Sequence, residues 1–158
     1  KSWLEHSSNY VDMITNKLNL NNKSFVIEVA SNDGYLLQYF LDKNIPVLGV
    51  EPTSNTAQVA IDKGIPTDIT FFNLEYAKNL TLNNKKADLL LANNVLAHNP
   101  NVNDFVSAFK EALKPDGTIT MEFPHLLSLM ELNQFDTIYH EHFSYFSLYS
   151  ACKLFEPP

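Results

Sequence analysis

Arginine is absent from this sequence of 158 residues; all 11 basic side chains are lysines. The guanidinium fork that clamps a phosphate or carboxylate through two parallel hydrogen bonds is therefore not on hand. A phosphorylated ligand must be held by lysine, backbone N–H groups or helix ends. Cysteine occurs once, as Cys152, which excludes an internal disulfide framework and a multi-cysteine zinc knot within this chain. No apolar run approaches the roughly 18 residues that span a bilayer. Residues 1–18 lack the apolar h-region of a secretory signal. These absences lead us to expect a cytoplasmic protein with no membrane partner. Positive charge is also scarce, with 18 acidic residues and a net charge of −7 at pH 7. There is no basic stripe to follow a nucleic acid backbone, so nucleic acid is not an expected partner. What the chain does have is 45% apolar residues, enough to build one core.

Apolar residues at Val11, Ile14 and Leu18 predict an amphipathic helix over 3–20. Short apolar, partly β-branched runs then alternate with helix-like segments. Strands are expected at 25–30, 46–50, 64–67, 87–92 and 118–123, and helices at 35–42, 54–63, 73–80 and 102–113. Ser31–Gly34 reads as a tight turn with an N-cap, and Lys114–Gly117 as a turn. Each strand looks too apolar to face water on either side. The implied fold class is α/β, a doubly wound, mostly parallel, Rossmann-like sheet covered on both faces. Ligands of such sheets bind beyond the carboxyl ends of the strands, where strand order reverses.

The turn after the first strand, Glu28 to Gly34, suits a ligand that approaches the backbone at a helix N-terminus. Ala30 and Asn32 stand where a G-x-G-x-x-G fingerprint has glycines, which weighs against a dinucleotide pyrophosphate. Glu28 and Asp33 suit a positively charged cofactor instead, although Asp33 could simply cap a helix. Glu51, followed by Pro52, ends the second strand and can accept both hydroxyls of a ribose, unless it only faces solvent. Asn93 and Asn94 end the strongest strand, at the expected crevice. His98 follows them and could equally be structural.

Beyond the last strand the sequence reads Tyr139-His140-Glu141-His142 amid aromatic residues. A histidine oriented by a carboxylate can take a proton near neutral pH, and a tyrosine can donate to a developing oxyanion. This set can remove a proton next to a carbonyl. Chemistry alone does not rank His140 against His142 as the base. The two histidines with Glu141 or Glu122 make only a weak metal signal, and no metal site is assigned. An interior hydrogen-bonded network without catalysis is the other reading.

The segments VIEVASNDGYLLQYF, GVEPTSNTA, ADLLLANNVLAHNPNVNDF, LKPDGTITMEFPHL and QFDTIYHEHFSYFS resemble the sugar C-methyltransferases that act on nucleotide-linked deoxysugars. That resemblance implies S-adenosylmethionine as cofactor and a nucleotide sugar as substrate. It implies a loop, Ala30 to Gly34, around the methionine and ribose, with Glu51 on the ribose hydroxyls. It puts Asn93, Asn94 and His98 at the border of the pocket. It makes His142 the general base, with Tyr139 and Glu141 beside it, abstracting the C3 proton of a 4-keto sugar. The family also implies a zinc-binding module before Lys1 and further strands after the core. Residues 1–23 would then be a helix and linker packed on the core, 24–147 the cofactor-binding core, and 148–158 a truncated extension. Such a piece is expected to bind cofactor without turning over sugar nucleotide. Rival readings are an O- or N-methyltransferase, an NAD-dependent enzyme, and a degenerate non-catalytic domain. The oligomeric state stays open between monomer and homodimer.

Overall fold

The structure, a computed structural model, describes residues 2–156; Lys1 and Pro157–Pro158, which bound the expected 1–23 and 148–158 segments, lie outside the described residues. Five strands form one parallel sheet: β1 (Val26–Val29), β2 (Val47–Val50), β3 (Thr67–Asp68), β4 (Ala87–Asn93) and β5 (Leu113–Glu122). Their spatial order is β3-β2-β1-β4-β5, so the order reverses between β1 and β4. The central strands are buried because helices cover both faces, which is why they read as apolar runs. Helices α1 (Ser2–Leu18) and α2 (Leu37–Asp42) cover one face, where Val11 and Ile14 pack with Val26, Phe40, Leu89 and Leu91. On the other face Ile27, Leu48 and Leu90 meet α4 (Leu74–Leu82), α5 (Val102–Ala112) and α7 (Leu148–Phe155). Phe40, Phe105 and Phe109 are fully buried. Burial of each such ring contributes about 2 kcal/mol. Between β2 and β3 lies α3 (Ser54–Asp62), and α6 (Leu126–Glu131) follows β5. Among the described residues no helix is long and apolar enough to cross a membrane.

Asparagine takes over a task usually given to glycine. Asn19, Asn44, Asn84 and Asn133, each just beyond a helix, have positive φ, as does Gly64 after α3. Asn tolerates this left-handed region because its short amide can bond locally.

Three expectations need correction. The turn at Lys114–Gly117 is an excursion inside β5: Ala87 pairs with Leu113, and Leu89 with Thr118. Lys114 is anchored there by Asp88, 2.7 Å away. Secondly, β5 is half-exposed rather than buried on both faces, because no described strand pairs with its outer edge. Finally, the turn after β1 supplies no N-cap; α2 starts at Leu37, and Leu36 before it makes no side-chain cap bond.

Gly34 explains why that turn is so tight. Its φ is +74°, and an added Cβ would lie 2.2 Å from Ile65 Cδ1. Ala30 and Asn32 also have positive φ, at 57° and 55°, so they hold the glycine-like backbone shape without being glycine. For Ala30 this costs about 1–2 kcal/mol. Opposite outcomes are therefore expected in urea unfolding. Ala30→Gly should leave stability unchanged or raise it by up to about 1 kcal/mol, strain relief being offset by unfolded-chain entropy. Gly34→Ala should lose about 2 kcal/mol or more, through strain and the clash with Ile65.

Candidate cofactor and base site

The loops that follow β1 and β4 meet at the point where strand order reverses. Ala30 N–H donates to Val50 O at 2.8 Å, which ties the first loop to the end of β2. Glu51 lies just beyond β2, 6% exposed, and its two carboxylate oxygens accept from Asn32 N–H at 3.1 Å and Thr53 N–H at 2.8 Å. Each oxygen keeps a further lone pair for a ligand hydroxyl. Asp33 does not stand free for a cationic cofactor, because Lys63 Nζ bonds both its carboxylate, at 2.8 Å, and its carbonyl, at 3.0 Å. It caps no helix either. Glu28 differs from it. It is buried, its Oε2 has no partner, and Ser31 Oγ, three residues further along the chain, is equally buried and unpartnered. Burial, then the charges of Asp33 and Glu51, push the Glu28 carboxyl well above the usual range.

After β4, Asn93 ends the strand, and Asn94 turns the chain with φ +55°. Asn94 N–H donates to Glu122 O at 2.7 Å, and its amide reaches Glu122 Oε1 at 3.4 Å. Asn94 thus fastens two strand ends, while Asn93 lines a cavity of about 190 Å³ beneath α1. A second cavity, of about 220 Å³, lies on the opposite face of the sheet between Ala30, Val50, Pro52, Phe72 and His98.

His98 connects the cofactor loop to the Tyr-His-Glu-His segment. It lines the second cavity, and its ring centroid is 4.6 Å from that of His142 and 6.5 Å from that of Tyr139. Tyr139 and His142 rings lie 4.3 Å apart. Phe143 N–H donates to Ala97 O at 2.9 Å, fixing the segment on the loop after β4. His142 Nδ1 is 2.7 Å from Thr137 O, and His98 Nδ1 is 3.1 Å from Glu141 O. A carbonyl only accepts, so both Nδ1 atoms carry hydrogen, and in the neutral ring Nε2 is left as the basic nitrogen. The expected orientation of a histidine by a carboxylate is thereby corrected: backbone carbonyls orient both His142 and His98. The Glu141 carboxylate and the His140 ring are turned to solvent, with side chains 62% and 88% exposed and 3.8 Å apart, and the His140 ring meets only the Tyr139 edge of the cluster, at 6.3 Å. Among the described residues no three His, Cys, Asp or Glu side chains gather as a metal site.

A family model described as a methyltransferase domain matches residues 4–157. The chain belongs to the methyltransferase-domain family. It is 37% identical over 155 residues to the C-methyltransferase NovU of Streptomyces niveus, an alignment covering 98% of this chain. The chain spans 37% of the length of that relative. Solved methyltransferases share the fold. A SAM-dependent methyltransferase from Archaeoglobus fulgidus superposes with a TM-score of 0.77 at 17% identity, over 96% of this chain and 66% of that one. The plantazolicin methyltransferase BpumL, solved with a desmethylPZN analog and SAH, gives 0.69 at 12% identity, over 96% and 61%.

The sequence patterns did not mark two of the walls of these cavities. Trp3, His6 and Tyr10 of α1 line the smaller cavity, with Tyr35 and Glu122. Their signal was present, since residues 3, 6, 7 and 10 form a helical stripe next to the apolar one. Phe71 and Phe72 wall the larger cavity, and an aromatic pair after a two-residue strand carries no periodic signal. Long-range proton–nitrogen spectra, taken above the histidine titration range, should show hydrogen on Nδ1 of His142 and His98. Hydrogen on His142 Nε2 would exclude that nitrogen as a base.

Proposed function

We propose that the chain is the cofactor and base module of an S-adenosylmethionine-dependent C-methyltransferase acting at C3 of a nucleotide-linked 4-keto deoxysugar. The observation that carries this reading is the contact chain Ala30–cavity–His98–His142, which joins the cofactor loop to the basic nitrogen. The residues fit the cofactor. Unpartnered Glu28 Oε2 and Ser31 Oγ suit its cationic end, and Glu51 suits its ribose hydroxyls. The apolar wall of Val50, Pro52 and Phe72 suits a flat purine. Asn93, Asn94 and the backbone from Ala30 to Gly34 would border it.

When bound, S-adenosylmethionine supplies a methyl group on a positively charged sulfur. The chain's own task is to make and hold the carbon nucleophile. A ketone at C4 acidifies the proton at C3, and His142 Nε2 accepts that proton. Thr137 O then holds Nδ1–H of the resulting imidazolium, which keeps the ring in place. The Tyr139 hydroxyl donates to the enolate oxygen as charge develops there. The His98 ring against His142 limits rotation of the base, and alignment rather than new covalent chemistry lowers the barrier. His140 and Glu141, whose side chains point outward, contribute through backbone position.

Methyl transfer by the full-length enzyme to a nucleoside-diphosphate-linked 4-keto deoxysugar tests this reading. His142→Ala and His142→Gln should each lower the rate by about 10²–10⁴-fold, the usual range for losing a positioned base. Tyr139→Phe should cost less, and His140→Ala little. Near-normal transfer by both His142 variants would refute the assignment.

A further inference from the structure

We propose that the apolar cup formed within residues 126–145 is a nucleobase subsite, which holds the flat ring of the nucleotide sugar while the sugar is presented to His142. This deepens the substrate reading above and rests on it.

The cup is built by the segment that follows β5. α6 contributes Leu126, Leu129 and Met130, the turn Phe135–Thr137 and the residue after it contribute Phe135 and Ile138, and Tyr145 completes the lining of a cavity of about 210 Å³. Backbone bonds set its shape in the absence of any ligand. Leu126 N–H donates to Phe146 O at 2.8 Å, and Gln134 N–H to Leu129 O at 3.0 Å. Leu148 N–H donates to His125 Nε2 at 3.0 Å, which pins the two ends of the segment together. Yet α6 buries none of its residues, and Phe135, Met130 and Ile138 are 72%, 67% and 64% exposed. A cluster of large apolar side chains left in water marks a surface made for contact.

The chemistry of the lining selects the occupant. No charged side chain lines the cup, so the part of a ligand that enters it is neutral and a diphosphate stays outside. Gln134 is the one amide on the lining. Among the described residues its own bonds are made by its backbone, to Leu129 and Thr137. Its side chain offers a donor and an acceptor side by side, the pattern that pairs with the edge of a base. Nucleobases are neutral and flat, and proteins hold them on aromatic and apolar faces while bonding their edges. A protein partner or a second copy fits less well. The cup draws on seven residues, whereas a stable protein interface takes about 20–30 from each side.

Tyr145 ties this cup to the reacting centre. Its ring lines the cavity and meets the His142 ring edge-on at 5.9 Å. Thr137 O lies 3.5 Å from the Tyr145 hydroxyl and 2.7 Å from His142 Nδ1, so one carbonyl positions both side chains. On the other side Ile138 adjoins Tyr139 in the chain. A ring in the cup thus lies one side chain away from His142.

Calorimetric titration of the full-length enzyme with thymidine and guanosine 5′-diphosphates, the cofactor pocket being filled with S-adenosylhomocysteine, tests the assignment. Inorganic pyrophosphate is the probe that lacks a base. Whichever nucleoside diphosphate binds wild type more tightly should lose about 10–100-fold in affinity in Phe135→Ala, the usual worth of one stacked base. In Gln134→Ala the loss should be about 2–10-fold. Pyrophosphate affinity should not change in either. Both side chains are exposed, so neither truncation removes a core contact. Equal losses for pyrophosphate would reveal a structural effect, and unchanged nucleotide affinity would put the base elsewhere; either overturns the subsite. A concentration-dependent dimer that Phe135→Ala abolishes, with nucleotide affinity intact, gives the surface to a second copy and also overturns it. The methyl-transfer assay separates this inference from the reading beneath it. Nucleotide binding through Phe135 without transfer to the 4-keto sugar keeps the subsite and overturns the function. Binding of neither nucleoside diphosphate, with transfer intact, overturns the subsite alone; with no transfer, both fall.

Discussion

β1 and β4 run side by side in parallel, with Glu28 opposite Leu91. Two parallel neighbours send their following loops out at the same end of the sheet. Because the chain continues from β1 toward one edge and from β4 toward the other, those loops part and leave a crevice. One side of the crevice receives Ala30 and Glu51, and the other receives His98. The segment 139–142 has no strand or helix of its own, so its position is borrowed. It is fixed by Phe143 on Ala97, by His98 on Glu141 O, and by ring contacts to His98. Loss of the β1–β4 pairing would separate the loop at Ala30–Gly34 from the His98–His142 cluster.

This arrangement carries local costs that a merely stable fold would avoid. Ala30 sits in a backbone region that favours glycine, and Glu28 and Ser31 bury polar atoms without partners. A buried polar atom left unpaired costs on the order of 1–3 kcal/mol. Such departures gather where a structure serves a ligand rather than its own stability. Here Ala30 and two of the three buried, unpartnered side-chain atoms among the described residues fall within four residues of one another, at the carboxyl end of the first strand; the third, Thr15 Oγ1, is on α1.

Much of the fold was legible because burial on both faces leaves a plain mark, as in Ala87–Ala92 and Val47–Val50. The β5 excursion was not, since Lys114-Pro115-Asp116-Gly117 reads as a turn whether or not the strand resumes its pairing afterwards. Within the site, residue type pointed to Glu28, Glu51, His98 and His142, but not to their partners. Lys63 lies 30 residues from Asp33, and no local pattern signals that bond. The backbone carbonyls that orient both histidines are invisible in principle, because every residue has one. For the same reason the sequence could not tell which members of the Tyr-His-Glu-His run turn inward.

A crystal structure of the chain with S-adenosylhomocysteine tests the shared crevice most directly. The account predicts a ligand across the Ala30–Gly34 loop, with ribose hydroxyls on Glu51 and its sulfur facing the His98–His142–Tyr139 rings. A ligand seated elsewhere, or one whose sulfur is walled off from His142, would contradict it.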